Sequence, residues 1–369
     1  MISESGGGDA VKPPEGRIHE KVGIHHNPPD QKQTQSRVRK AILDCIHGRR
    51  SWDKPITPEV DADVSSMMAG EKATPLSPHE EDVVRANTRI QLLGNGESLL
   101  KFARWVDGKE GPEEAERAVT DIEAFDRHRS KYAWDTEDYV SVGENERYWM
   151  HDEVCRRVGG LYDGVRPVSL WDIGGGHGRV IRGMKDILGD SVSAHMTDLG
   201  YRVYREVDGV HLMGAEVAPA QLRQGVDIII SEHSLRHSPL PNVAVRNMLN
   251  LTRHAAYIGI EDYVGLGSFC LLADKMPERE TYLRYLYGGD PPKQLETGDM
   301  QDLMDKKLRA ELKKAEESGF DIRVRSQLRY RNDKGKPVQI SQVPEGEFMP
   351  LKDLPEKDYV GQIIAVRRA

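Results

Sequence analysis

Between Val168 and Arg179 the sequence reads Val-Ser-Leu-Trp-Asp-Ile-Gly-Gly-Gly-His-Gly-Arg, an apolar run with an acid near its end and then a turn dominated by glycine. Such a run predicts a strand, and the glycines predict a sharp turn whose backbone can lie flat against a ligand. From Gly178 onward the sequence can start a helix, which presents unpaired N–H groups and the positive end of its dipole. A dinucleotide turn needs G-x-G-x-x-G. Gly174 and Gly176 supply the first two glycines of that pattern, but Arg179 stands where the third belongs. Asp172 at the strand tip suits a ligand carrying an ammonium group and would repel a pyrophosphate.

Two further segments add chemistry. Asp198 ends the next apolar run, twenty residues after Gly178, where a carboxylate can accept hydrogen bonds from both hydroxyls of a ribose. The run Val226-Asp227-Ile228-Ile229-Ile230-Ser231 is followed by Glu232, His233 and His237, three groups able to take a proton near neutral pH or shape a pocket. Ligands of open α/β sheets lie at the carboxyl ends of the strands, which is where these residues fall.

The elements that must position them follow from the texture of the chain. Short apolar runs at 168–173, 192–197, 210–213, 226–231 and 255–260 alternate with helical stretches, which predicts βαβ units and a parallel sheet buried on both faces. A helix over 301–318, capped by Gly319, leads to two last strands at 320–330 and 359–366 with no helix between them. The expected fold class is therefore α/β, a Rossmann-like, seven-stranded, mostly parallel sheet with an antiparallel last strand. Ahead of it, residues 1–35 read as a flexible arm, 36–144 as a mainly helical region and 145–369 as the α/β domain. Within the helical region, 51–78 with its four prolines reads as a linker, and 80–94 and 98–106 as separate helices. The first fifty residues carry few apolar anchors and are expected to be largely disordered. Tyr132, Trp134, Tyr139, Tyr148 and Trp149 are candidate pocket walls, and the long connections 265–300 and 332–357 are candidate covers.

Composition narrows the partners. With 369 residues, 38% hydrophobic and 30% charged, the chain has the make-up of a soluble protein, with no apolar stretch of membrane-spanning length. A net charge of -8 argues against a globally basic nucleic-acid binder, although Arg37, Arg39, Lys40, Arg49 and Arg50 form a local basic segment. Cys45, Cys155 and Cys270 form neither a zinc spacing nor a disulfide framework, so a reducing, cytoplasmic setting and no metal are expected.

The pattern Asp172-x-Gly174-x-Gly176-x-Gly178 resembles motif I of the class I S-adenosylmethionine-dependent methyltransferases. Asp172-Ile173-Gly174-Gly175-Gly176-His177-Gly178 and Thr197-Asp198-Leu199 are similar to the small-molecule O-methyltransferases of that superfamily. Val226–Ser231 and Glu317-Ser318-Gly319-Phe320 resemble its fourth strand and its entry to the last two strands, so the likeness covers about 145–369. The resemblance implies S-adenosyl-L-methionine as cofactor. Asp172, Gly174, Gly175, Gly176 and Gly178 would hold its amino acid end, Asp198 its ribose and Leu199 its adenine, with Ser231 completing the set. It implies methyl transfer to oxygen or nitrogen of a small molecule, with His237 as first candidate for a base and Glu232 and His233 as rivals. Here His237-Ser238-Pro239 replaces the His-Asp-Trp of the phenolic type, and Gly214-Ala215-Glu216 replaces the Gly-Asp of many relatives. The second reading is an RNA or protein methyltransferase using the basic segment, and the third a non-enzymatic nucleoside-binding module.

Overall fold

Val-Asp-Ile-Ile-Ile-Ser over Val226–Ser231 is buried along its whole length, as a strand must be when helices cover both faces of a parallel sheet. The computed structural model describes residues 36–129, 131, 150–176, 178–201, 207–232, 234–260, 279–295, 297–327, 329–331, 337–340 and 345–368. Eight strands form the main sheet: β1 Val168–Ile173, β2 Val192–Asp198, β3 Gly209–Leu212, β4 Val226–Ser231, β5 Thr252–Gly259, β6 Phe320–Gln327, β9 Glu345–Pro350 and β10 Tyr359–Arg367. Their spatial order is β3-β2-β1-β4-β5-β10-β6-β9. β1 to β5 run parallel, and β10 is antiparallel to both β5 and β6. This is the Rossmann-like arrangement expected from the sequence, with one strand more. β9 lies antiparallel on β6 at the sheet edge, and β7 Arg329–Arg331 pairs with β8 Pro337–Ile340 as a separate ribbon. Glu-Gly-Glu-Phe-Met-Pro has no apolar alternation, so only its neighbour on the sheet makes it a strand.

One face of the sheet packs on α6 His151–Leu161 and α7 Arg179–Leu188, whose Val180, Ile181, Met184 and Leu188 turn inward together. The other packs on α8 Pro241–Leu251 and α10 Thr297–Glu317. To that second face α1 Arg37–Ile46, α2 Thr57–Ala69, α3 Pro78–Glu110, α4 Pro112–Thr120, α5 Ile122–Arg129 and α9 Arg279–Tyr287 add a further layer sharing one continuous apolar core with Trp171, Ile173 and Ile229.

Three local expectations are corrected here. The stretch 51–78 contains α2, because Pro58 sits in the first turn, where its missing N–H is no loss. The two expected helices over 80–106 are one helix, α3, whose start is a capping box in which Ser77 and Glu80 exchange side-chain-to-backbone bonds. Gly96 does not break it. A Cβ there would meet Ile56 at 2.8 Å and Val38 at 3.2 Å, so α3 passes close to its neighbours at this glycine. That packing outweighs the ~1 kcal/mol helix cost of glycine. Disorder over the first fifty residues fails from Ser36 onward. Ser36 caps α1, which buries Val38, Ala41, Ile42, Cys45 and Ile46. Ile42→Ala should therefore lower the unfolding free energy by about 2–5 kcal/mol in urea denaturation, where a disordered arm would show no effect. Of the long connections, α9 buries Tyr282, Leu283 and Leu286 and is an ordinary packed helix.

Candidate functional site

The carboxyl ends of β1, β2 and β4 converge on the glycine turn. Gly174, Gly176 and Gly178 have φ of 74°, 58° and 77°, a left-handed backbone that side chains disfavour. Thr197 O at the end of β2 accepts the Gly174 and Gly175 N–H groups at 2.7 and 3.3 Å, and Gly178, at the start of α7, donates to Gly175 O at 2.9 Å. A Cβ on Gly174 would lie 2.2 Å from Ser234 Cβ, so the turns after β1 and β4 are in direct contact. Ser234 Oγ donates to Ile173 O at 2.9 Å and shares a 2.6 Å hydrogen bond with Ser231 Oγ, which is wholly buried at the end of β4. Ser231 thus braces the two strand tips through Ser234.

Two acids sit beneath this turn. Asp172 is buried and its Oδ2 has no hydrogen-bond partner among the described residues. That oxygen lies 2.5 Å from where a Gly175 Cβ would be, so Gly175 is required for the turn to pass over the carboxyl. Burial, and then the neighbouring Asp198, push the Asp172 carboxyl up to about 8. Asp198 closes β2, with one oxygen accepting from Gly176 N at 2.9 Å and the other from Gly200 N at 2.5 Å. Burial pushes it up to about 6, against these two N–H groups, which lower it. A carboxylate has about four lone-pair positions, so Asp198 keeps acceptor capacity for a ligand's hydroxyls. A buried carboxyl with one unpartnered oxygen, a second acid beside it and a flat glycine backbone have the chemistry to accept a cation and several hydroxyl donors.

The loop after β2 is gripped by the N-terminal helices. Asn95 of α3 donates to Leu199 O at 3.3 Å, and Arg39 of α1 donates to Tyr201 O at 3.1 Å. After β3, Glu216 is buried and pushed up by that burial, and the Ser238 hydroxyl donates to it at 2.5 Å. Glu216 therefore joins the loop after β3 to the start of α8. Glu232, immediately after β4, is half-buried, and His233 lies outside the described residues. His237 ends a single 3-10 turn, Leu235–His237, with its side chain exposed and its Nε2 accepting from Arg236 at 3.2 Å. Its carbonyl accepts from Gln91 of α3 at 2.8 Å. The backbone of His237 thus anchors α3 whatever its ring does. Ser234, Asn95 and Tyr201 belong to this region and had no signal in the spacing of the sequence. The five aromatic candidate wall residues, Tyr132, Trp134, Tyr139, Tyr148 and Trp149, lie outside the described residues.

Of the basic segment, Arg39 is committed to Tyr201 O, Arg49 pairs with Asp44 at 2.8 Å and Arg50 pairs with Glu59, while Arg37 and Lys40 are exposed. Glu110, Glu114 and His128 bring three donor atoms within 4.8 Å of one another. The two acids meet opposite nitrogens of the His128 ring and are also paired with Arg117, Arg127 and Lys131, an ion-pair network joining α3, α4 and α5. Among the described residues no helix is long and apolar enough to cross a membrane.

No protein-family model matches the chain, and no curated protein matches it either. Solved structures do. Magnesium protoporphyrin IX methyltransferase (ChlM) from Synechocystis PCC 6803, with bound SAM, is 12% identical with a TM-score of 0.27, over 73% of this chain and 96% of that one. The plantazolicin methyltransferase BpumL, in complex with a pentazolic desmethylPZN analog and SAH, is 11% identical with a TM-score of 0.35, over 75% of this chain and 99% of its own. The plantazolicin methyltransferase BamL, with a triazolic analog and SAH, is 15% identical with a TM-score of 0.30, over 78% of this chain and all of its own. At these scores the geometry of the strand tips, rather than the likeness, carries the functional reading.

Proposed function

We propose that this chain is an S-adenosylmethionine-dependent methyltransferase that modifies oxygen or nitrogen of a small molecule. The observation that carries the reading is Asp172, a fully buried carboxyl with an unpartnered oxygen under a left-handed glycine turn, beside a second buried acid at the tip of β2. A buried carboxyl oxygen left unpaired is costly, and a ligand ammonium placed against it removes that cost. Asp198 would take the ribose hydroxyls, and Leu199, held by Asn95, would flank the base. The bound cofactor supplies an electrophilic methyl group on a sulfonium. The protein's part is to hold the acceptor close and in line and, for a hydroxyl, to accept its proton. Glu232, His233 and His237 follow β4 and are the proposed proton acceptors. Residues 145–369 would carry this chemistry, in a reducing compartment. The basic segment favours the nucleic-acid reading less, because three of its five cations are engaged within the chain.

Calorimetry with S-adenosylhomocysteine (SAH) is expected to give a micromolar dissociation constant, about -8 kcal/mol. Heat with NAD and none with SAH overturns the reading. Gly176→Val should abolish the SAH heat while circular dichroism keeps the parent's shape, because a branched residue resists the φ of 58°. For a hydroxyl acceptor, His237→Ala is expected to slow turnover by about a hundredfold or more with SAH affinity intact. Loss confined to Glu232→Gln would move the role to that carboxylate.

A further inference from the structure

Two of the three residues after Asp198 are held from outside the sheet. Gly200 N–H closes onto Asp198 itself, Leu199 O takes the Asn95 amide, and Tyr201 reaches into the helical layer. The Tyr201 hydroxyl donates to Asp63 of α2 at 3.2 Å, its carbonyl accepts from Arg39 of α1, and its ring faces Gly96 of α3, where a Cβ would stand 3.3 Å from it. Asp63 is itself a hub. It accepts from the Ser36 hydroxyl at 3.2 Å and from Arg37 N at 3.3 Å, so it joins the start of α1 to α2 and to Tyr201. Asp63 and Tyr201 are both buried. One residue of the β2 loop thus meets three helices of the N-terminal layer, α2 and α3 through its side chain and α1 through its carbonyl.

We infer that Tyr201 is a positioning residue through which the N-terminal helical layer sets the loop that presents Asp198 and Leu199 to the ligand. The inference rests on the cofactor reading above. The physical basis is entropic as well as geometric. A segment tied at one end to a strand and, three residues on, to a packed helical layer loses little further freedom when a ligand binds, and affinity rises by the ordering already done. Without the tie, Asp198 keeps its Gly200 N–H partner only intermittently, and the ligand must order the loop itself.

The test uses the full chain, with Tyr201→Phe removing one hydroxyl and Val60→Ala as a control that weakens the α2 core while keeping the hydroxyl that bonds Asp63. In Tyr201→Phe, SAH affinity at a temperature where the protein is fully folded should fall about three- to tenfold, the worth of one hydrogen bond. Val60→Ala should lose thermal stability and bind SAH as the parent does. In ligand-free protein, amide hydrogen exchange over 198–201 should speed up about tenfold in Tyr201→Phe and stay at the parent's rate in Val60→Ala. Parent-like SAH affinity in Tyr201→Phe, or equal losses in both variants, overturns the inference. If the parent binds no SAH, the cofactor reading falls instead, and the ligand-free exchange still decides the role of Tyr201.

Discussion

Asp172→Asn should lower SAH affinity by about 3 kcal/mol, roughly a hundredfold or more, because it leaves a ligand ammonium facing a neutral amide in a buried site. The same contact makes binding pH-dependent, with a defined sign. In the ligand-free protein Asp172 is pushed up to about 8 and carries its proton at neutral pH. An ammonium beside it favours the charged carboxylate, so binding expels that proton. Affinity should rise by up to about tenfold per pH unit below pH 8 and level off above it, and Asp172→Asn should lose this slope. Below about 6 Asp198 adds to the slope, since it too must ionise to accept ribose hydroxyls fully. Titration calorimetry in buffers of different ionisation heat reads the released proton directly. For the ligand-free chain the linkage runs the other way. An acid raised on folding contributes stability below its ordinary range and loses it as pH climbs towards about 8. An affinity that stays flat between pH 6 and 8 would mean that Asp172 does not face the ligand's charge.

Gly174→Ala is the second large expected effect. The new methyl would lie 2.2 Å from Ser234 Cβ, on a backbone with φ of 74°. Left-handed backbone costs an alanine about 1–2 kcal/mol and overpacking about 1–3, so urea denaturation should show a loss of about 2–5 kcal/mol. SAH binding should go with it, since the turns after β1 and β4 are forced apart. Adding Ser234→Gly removes the atoms that are struck, so the double variant should recover the overpacking part and keep the backbone part. The Ile173 carbonyl, which loses its Ser234 donor, limits that recovery. If the double variant is no more stable than Gly174→Ala alone, the contact between the two turns is not what demands glycine.

The α/β class, the succession of the first five strands along the chain and the residues at the strand tips were legible in the sequence because each is a local matter. A central parallel strand is buried on both faces and so mostly apolar, as Val226–Ser231 is, and a chain that turns from strand to helix in five residues must use glycine where φ is positive. Asp172 stood out because an acid interrupting an apolar strand is rare unless something binds it. The tertiary structure decided whatever depends on residues far apart in the chain. Pro58 inside a helix, the unbroken run of α3 through Gly96 and the edge strand β9 all follow from neighbours that local propensity cannot see. So do Ser234 on the Ile173 carbonyl and the hold of Asn95, Arg39 and Asp63 on the β2 loop, contacts spanning 61, 104, 162 and 138 residues. Spacing encodes what one strand and its turn require. Which distant side chain completes a buried hydrogen bond is set only when the layers pack, because the cost of leaving that group unpaired arises only once water is gone.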